Sequence, residues 1–334
     1  MSKVALIFFF FLMFVSFKES EQLQAQKAYD PLEVVREKSE KNETIDLTVE
    51  DTKRKREIPI RVYLPLQQTA APVILFSHGL GGSKEGGAYL GKHWASRGYV
   101  GVFLQHPGSD TSVWKDQPPG QKMSALREAA NGENFLLRVQ DVPTVLDQLE
   151  RWNQAESHRL AGRLDLKKVG MSGHSFGAVT TQAVSGQKPR LMQHSFTDMR
   201  IKAALALSPS VPSHAKDPSR FFGQVQIPWM LMTGTQDISP IGDTDVESRL
   251  AVYPALPAGG KYELVLYEAT HSAFSDRGRF GEKGKRNPNH HRVILALSTA
   301  FWDSWLKKDS KAKEWLEGEG ARSVLEKEDR WQYK

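Results

Sequence analysis

Apolar residues along the chain alternate between two spacings, and the switches mark the elements. "TIDLTVED" (44–51) and "IPIRVYLP" (58–65) alternate apolar and polar positions, which predicts two strands opening a sheet in antiparallel fashion. "PVILFSHG" (72–79) and "YVGVFLQHPG" (99–108) are short continuous apolar runs ending in turn residues, the pattern of strands buried on both faces. A helix-like stretch around 88–97 lies between them, and a polar segment containing Pro118, Pro119 and Gly120 follows. Helical spacing then dominates 134–153, where Phe135, Leu136, Val139, Val142, Val145, Leu146 and Leu149 recur on one side.

"KKVGMSGHS" (167–175) predicts the next strand, and "AVTTQAVSG" (178–186) opens a helix. "IKAALALSP", "IPWMLMTGTQD" and "KYELVLYEATH" predict three more buried strands, and 290–307 a closing helix. The tail from 309 to 334 is charged and predicted to be helical and peripheral. Strand–helix alternation with buried strands predicts an α/β fold with a mostly parallel sheet and helices on both faces. The expected catalytic domain spans 44–308, and no internal repeat divides it.

Composition changes this picture little. Forty-five basic residues against 39 acidic ones give a net charge of +6, scattered as on a solvated surface. A basic stripe with interleaved aromatics is missing, so no nucleic-acid partner is expected. "KRKRE" (53–57) lies between two predicted strands and reads as a charged hairpin tip.

The N-terminus is more informative. Lys3 precedes an apolar run of 14 residues, Val4 to Phe17, short for a membrane span and suited to the core of a signal peptide. Residues 1–25 are therefore expected to be a secretory signal cleaved near Ala25, with 26–43 as a leader segment. An uncleaved anchor is the alternative. The mature protein would be secreted or periplasmic, with no stable membrane anchor. There is no cysteine, which excludes disulfides, thiolate catalysis and cysteine metal sites.

Candidate chemistry gathers at the predicted carboxyl ends of strands, where such sheets place their sites. Gly173-His174-Ser175-Phe176-Gly177 is a Gly-x-Ser-x-Gly sequence between a strand and a small-residue helix, the setting of a nucleophile elbow. A serine hydroxyl needs a base, and His271 directly follows the last buried strand. Asp237, at the end of the preceding strand, is the candidate to fix the imidazole, with Asp243 and Asp245 as nearby alternatives.

The chain order Ser175, Asp237, His271 suits this architecture. Oxyanion donors are expected from the backbone N–H groups of Phe176 and of Leu80, in "HGLGG" (78–82). His174 and Trp114 are candidate substrate-binding residues, and the loop 107–133 can shape a pocket. Neither a metal nor an organic cofactor is expected.

With those residues placed, the chain resembles the α/β-hydrolase superfamily over about 45–307. It is most similar to the branch of dienelactone-hydrolase-like proteins and platelet-activating-factor acetylhydrolases. "VILFSHGLGGSKE", "WASRGYVGVFLQHPGSD", "VGMSGHSFGAVT" and "THSAFSD" carry the resemblance. It implies an α/β-hydrolase fold with Ser175 as nucleophile, His271 as base, and Leu80 and Phe176 as oxyanion donors.

Two features depart from the branch. Dienelactone hydrolases use a cysteine nucleophile, and there is none here. Animal platelet-activating-factor acetylhydrolases place the acid after the strand matching "IKAALALSP", where this chain has Ser208 and Ser210. The resemblance then implies an acid one strand later, at Asp237, as in dienelactone hydrolases and bacterial polyester hydrolases. The expected activity is a serine esterase acting on short-acyl carboxylic esters, small or polymeric. A polyester (cutinase-like) hydrolase, a phospholipid acetylhydrolase, a peptidase and a non-catalytic binding protein are the alternatives.

Overall fold

The two alternating stretches pair as a hairpin, β1 (Glu43–Asp51) and β2 (Arg56–Leu64), in the computed structural model of the protein. The structure describes residues 28–33, 42–189, 195–212, 215–242, 244–276 and 286–334. The chain divides into two units, Met1–Asp30 and Pro31–Lys334, and the second carries the sheet. The expected signal segment, 1–25, and most of the leader lie outside the described residues.

The remaining strands are β3 (Ala71–Ser77), β4 (Val100–Leu104), β5 (Leu164–His174), β6 (Ile201–Leu207), β7 (Trp229–Gln236), β8 (Lys261–Thr270) and β9 (Arg330–Tyr333). They form one nine-stranded sheet in the order β1-β2-β4-β3-β5-β6-β7-β8-β9. β4, β3, β5, β6, β7 and β8 are mutually parallel, while β1, β2 and β9 run antiparallel at the edges. All residues of β3 and β4 are buried, as their unbroken apolar runs require.

Among the described residues, the helices of eight residues or more are α1 (Ala88–Ser96), α2 (Lys122–Ala129), α3 (Gly132–Gln154), α4 (Phe176–Val184), α5 (Pro288–Trp305) and α6 (Ser310–Glu317). Asn131 caps α3 through its side chain, and the stripe Val139, Val142, Val145, Leu146 and Leu149 is buried in one core with β3 and β4. This is the α/β-hydrolase fold. Among the described residues no helix is long and apolar enough to cross a membrane.

The structure revises the chain in two places. The tail is not helical throughout: after α6 it ends in β9, which pairs with β8. Trp331 supplies the reason, since it is buried and stacks on Tyr262 with ring centroids 5.8 Å apart. The charged hairpin tip is also less solvated than its composition implies. Arg54 and Arg56 turn inward, each 2.9 Å from the buried carboxylate of Asp141 on α3.

Candidate active site

Ser175 stands between β5 and α4 with φ 57° and ψ −115°, a backbone conformation costly for any residue with a side chain. The flanking glycines explain how the chain reaches it. A Cβ on Gly177 would lie 1.9 Å from the Ser77 carbonyl oxygen, and one on Gly173 would lie 2.3 Å from the Gly177 oxygen. Strand, turn and helix thus touch backbone to backbone, and only glycine leaves room. The Ser175 N–H donates to Leu207 O at 2.9 Å, tying the turn to the end of β6.

Sheet register assembles the rest. β7 and β8 pair Gln236 with Thr270, so the next residues of each strand, Asp237 and His271, emerge side by side. His271 Nε2 is 2.9 Å from Ser175 Oγ, and His271 Nδ1 is 2.7 Å from Asp237 Oδ1. An imidazole so placed can take the serine proton while the carboxylate holds its other nitrogen protonated.

Asp237 is fully buried and also accepts from Thr233 Oγ1 at 2.8 Å. Burial by itself raises its pKa, but the His271 hydrogen bond and the nearby Arg249 charge outweigh burial and hold the carboxyl below its ordinary value. Of the alternatives, Asp245 caps a short helix by accepting from Ser248 N, and Asp243 lies outside the described residues.

Arg249 was not legible as a site residue, because "DVESRL" reads as a solvent-facing helix. It is 2% exposed, and its Nε donates to Asp237 O at 2.6 Å while lying 3.1 Å from Oδ1. Its Nη1 donates to Ser208 O and Pro209 O. One guanidinium thus joins the end of β6 to the Asp237 turn.

The loop 78–82 passes directly over the elbow: a Cβ on Gly79 would lie 3.5 Å from Ser175 Cβ. Among the described residues, neither the Leu80 nor the Phe176 backbone N–H donates to a backbone carbonyl. Both residues line the same cavity as Ser175 and His271, as does His174. His174 Nε2 donates to His271 O at 3.0 Å, and burial followed by the His271 charge lowers its pKa to about 3, keeping it neutral.

Trp114 is not among the cavity residues. Its Nε1 donates to Gly81 O at 2.7 Å, so it props the loop from behind, where the ring meets the glycine backbone. The segment 107–133 contains α2, whose Met123 and Leu126 line the cavity.

Behind the loop lies a buried polar cluster. His106 Nε2 is 2.9 Å from Ser77 Oγ and its Nδ1 is 2.9 Å from Asp141 Oδ2, all three residues being fully buried. Burial, then the charge of Arg138, lowers the His106 pKa to about 4. The readable signal for this cluster was a pair of charges, Arg138 and Asp141, in phase with the apolar stripe of α3. Among the described residues no group of three or more His, Asp or Glu side chains is arranged to hold a metal ion.

The cavity measures about 910 Å³, and its walls are largely apolar, with Leu80, Leu126, Phe135, Val179, Phe196 and Ile241 among them. Sheet order and elbow define the chain as an α/β-hydrolase. Residues 56–210 match the family described as platelet-activating factor acetylhydrolase, isoform II. A platelet-activating factor acetylhydrolase of Cavia porcellus is 25% identical over 179 residues, 45% of this chain and 39% of its own length. The chain therefore matches about two fifths of the length of that curated relative.

Both likenesses are to platelet-activating factor acetylhydrolases and support a resemblance to that branch of the α/β-hydrolases, over less than half of this chain. The family match takes in the loop 78–82 and the elbow, and it ends before Asp237 and His271.

Proposed function

We propose that the protein is a serine hydrolase of carboxylic esters. Ser175 attacks the ester carbonyl while His271 accepts its proton, and Asp237 steadies the imidazolium that forms. The N–H groups of Leu80 and Phe176 receive the oxyanion of the tetrahedral intermediate. His271 then returns the proton to the leaving alcohol. Water, activated by the same imidazole, releases the acid from the acyl-enzyme. His271 passes the proton it takes from that water to Ser175 Oγ, which restores the free serine.

The observation that carries the reading is the pair of distances through His271, 2.9 Å to Ser175 Oγ and 2.7 Å to Asp237 Oδ1. The substrate we infer is an ester of a short acyl group, seated against Leu80 and Phe176, with an apolar alcohol portion along Leu126, Phe135 and Phe196. Steady-state rates on p-nitrophenyl esters of rising acyl length test both parts, with Ser175→Ala alongside. A loss on the order of 10⁴-fold in the variant is expected. Equal background rates in both proteins would remove the reading, and a rate that climbs steadily with chain length would remove the short-acyl preference.

A further inference from the structure

Arg138 lies in the first turns of α3 with no exposed surface and does not line the cavity. A buried guanidinium must place its donors on acceptors or destabilise the fold. Here those acceptors lie around Leu80. Nη1 donates to His78 O at 2.7 Å and Nη2 to Gly79 O at 3.5 Å. Nε donates to Ser109 Oγ at 2.8 Å and Nη2 also to Ser109 O at 3.5 Å. Ser109 O in turn accepts from Gly81 N at 2.9 Å, so both neighbours of Leu80 are tied to the same cation.

The peptide plane converts this into a direction. In a trans peptide, carbonyl and N–H point in opposite senses, so fixing Gly79 O fixes the Leu80 N–H. Three donors converge on Gly79 O: Arg138 Nη2, Gly82 N at 3.0 Å and His78 Nδ1 at 2.6 Å. His78 can donate from Nδ1 because its Nε2 accepts from His106 N at 3.0 Å, which sets the tautomer. On its other side the guanidinium carbon of Arg138 lies 4.4 Å from the centre of the Phe176 ring.

We propose that Arg138 is the positioning residue of the oxyanion site, setting the direction of the Leu80 N–H and the seat of Phe176 without touching substrate. This rests on the ester-hydrolase reading above. A positioning role differs from a purely structural one in its signature. Misdirected donors weaken the transition state more than the ground state, so kcat falls while KM holds.

The experiment compares Arg138→Gln and Arg138→Lys with the parent on p-nitrophenyl acetate, with active sites counted by the p-nitrophenol burst. Inhibition by a trifluoromethyl ketone, whose adduct carries the tetrahedral oxyanion, is measured in parallel. For Arg138→Gln, kcat per active site should fall roughly 100-fold and the inhibition constant rise by a similar factor, with KM within about threefold. Arg138→Lys keeps the charge and loses the fork, so it should fall between.

An unchanged kcat per active site, or an unchanged inhibition constant, would overturn the proposal even if thermal stability drops. Should Arg138→Gln fail to fold, Ser109→Ala keeps the cation and removes its Nε acceptor, together with the Ser109 Oγ hydrogen bond to His106 O at 3.2 Å. It should lower kcat and inhibitor affinity together by several-fold, and no change in either would again overturn the role. No turnover in the parent would instead overturn the ester-hydrolase reading itself.

Discussion

Gly177→Ala isolates the backbone contact on which the elbow depends. The added Cβ would sit 1.9 Å from Ser77 O and 2.6 Å from Ser77 C, where real contacts essentially never fall below 3.0 Å. The obstacle is main chain at the end of a fully buried strand, so no side chain can rotate away. β3 and α4 must separate by about 1 Å, an overpacking that costs roughly 1–3 kcal/mol. The same displacement carries Ser175 and Phe176 away from His271 and the loop 78–82. Misplacement of about 1 Å costs on the order of 10²-fold in rate.

Gly132→Ala is the matched control: it lies at the start of α3 with nothing within 4 Å of its added Cβ. It should leave rate and stability nearly unchanged, or stabilise slightly. Urea unfolding midpoints and kcat/KM on p-nitrophenyl acetate, measured on both variants, decide the matter. A Gly177→Ala protein within twofold of the parent in kcat/KM would refute the reasoning.

Three further outcomes are expected. Asp237→Asn should lower kcat about 10⁴-fold and, by leaving Arg249 buried without its counter-charge, cost about 3 kcal/mol in urea unfolding; a rate loss under tenfold would contradict the role given to the carboxylate. Asp276 accepts from the N–H groups of Gly87, Ala88 and Tyr89 at the start of α1, so Asp276→Ala should cost about 1 kcal/mol, and an unchanged urea midpoint would count against that cap.

The third outcome is a pH dependence of stability. His78, His106 and His174 are held neutral by burial, His106 down to about 4 and His174 to about 3. The unfolded chain binds their protons as pH falls below about 6.5 and the native state does not, so stability is full above that pH and declines toward pH 4. Urea midpoints at pH 7.5 and 5.0 should differ accordingly, and His106→Gln should flatten the slope by up to about 1.4 kcal/mol per pH unit. Equal slopes in parent and variant would show that His106 takes no part.

Much of the architecture is legible because it is written in local periodicity. The continuous runs 72–79 and 99–108 can only be strands covered on both faces, and the stripe from Val139 to Leu149 can only be a helix against a core. The glycines at 173 and 177 announce a turn too tight for side chains before any contact is known. β9 was missed because a single buried tryptophan decides it, and "RWQYK" carries too little period to separate strand from helix. Trp114 shows the opposite failure: an aromatic in a loop reads as a pocket wall, but its indole N–H is used on Gly81 O.

The sequence by itself determined the order of β1 to β8 and of α1, α3, α4 and α5, the elbow and the chain positions of Ser175, Asp237 and His271, since each depends on spacing along a single segment. Only the tertiary structure decided what surrounds them. The β7–β8 register brings Asp237 beside His271, and the buried charges Arg249, Arg138 and Asp141 find partners far away in the chain. A buried charge is tolerated only where its partners converge, and that convergence is a property of packing between segments that no local pattern contains.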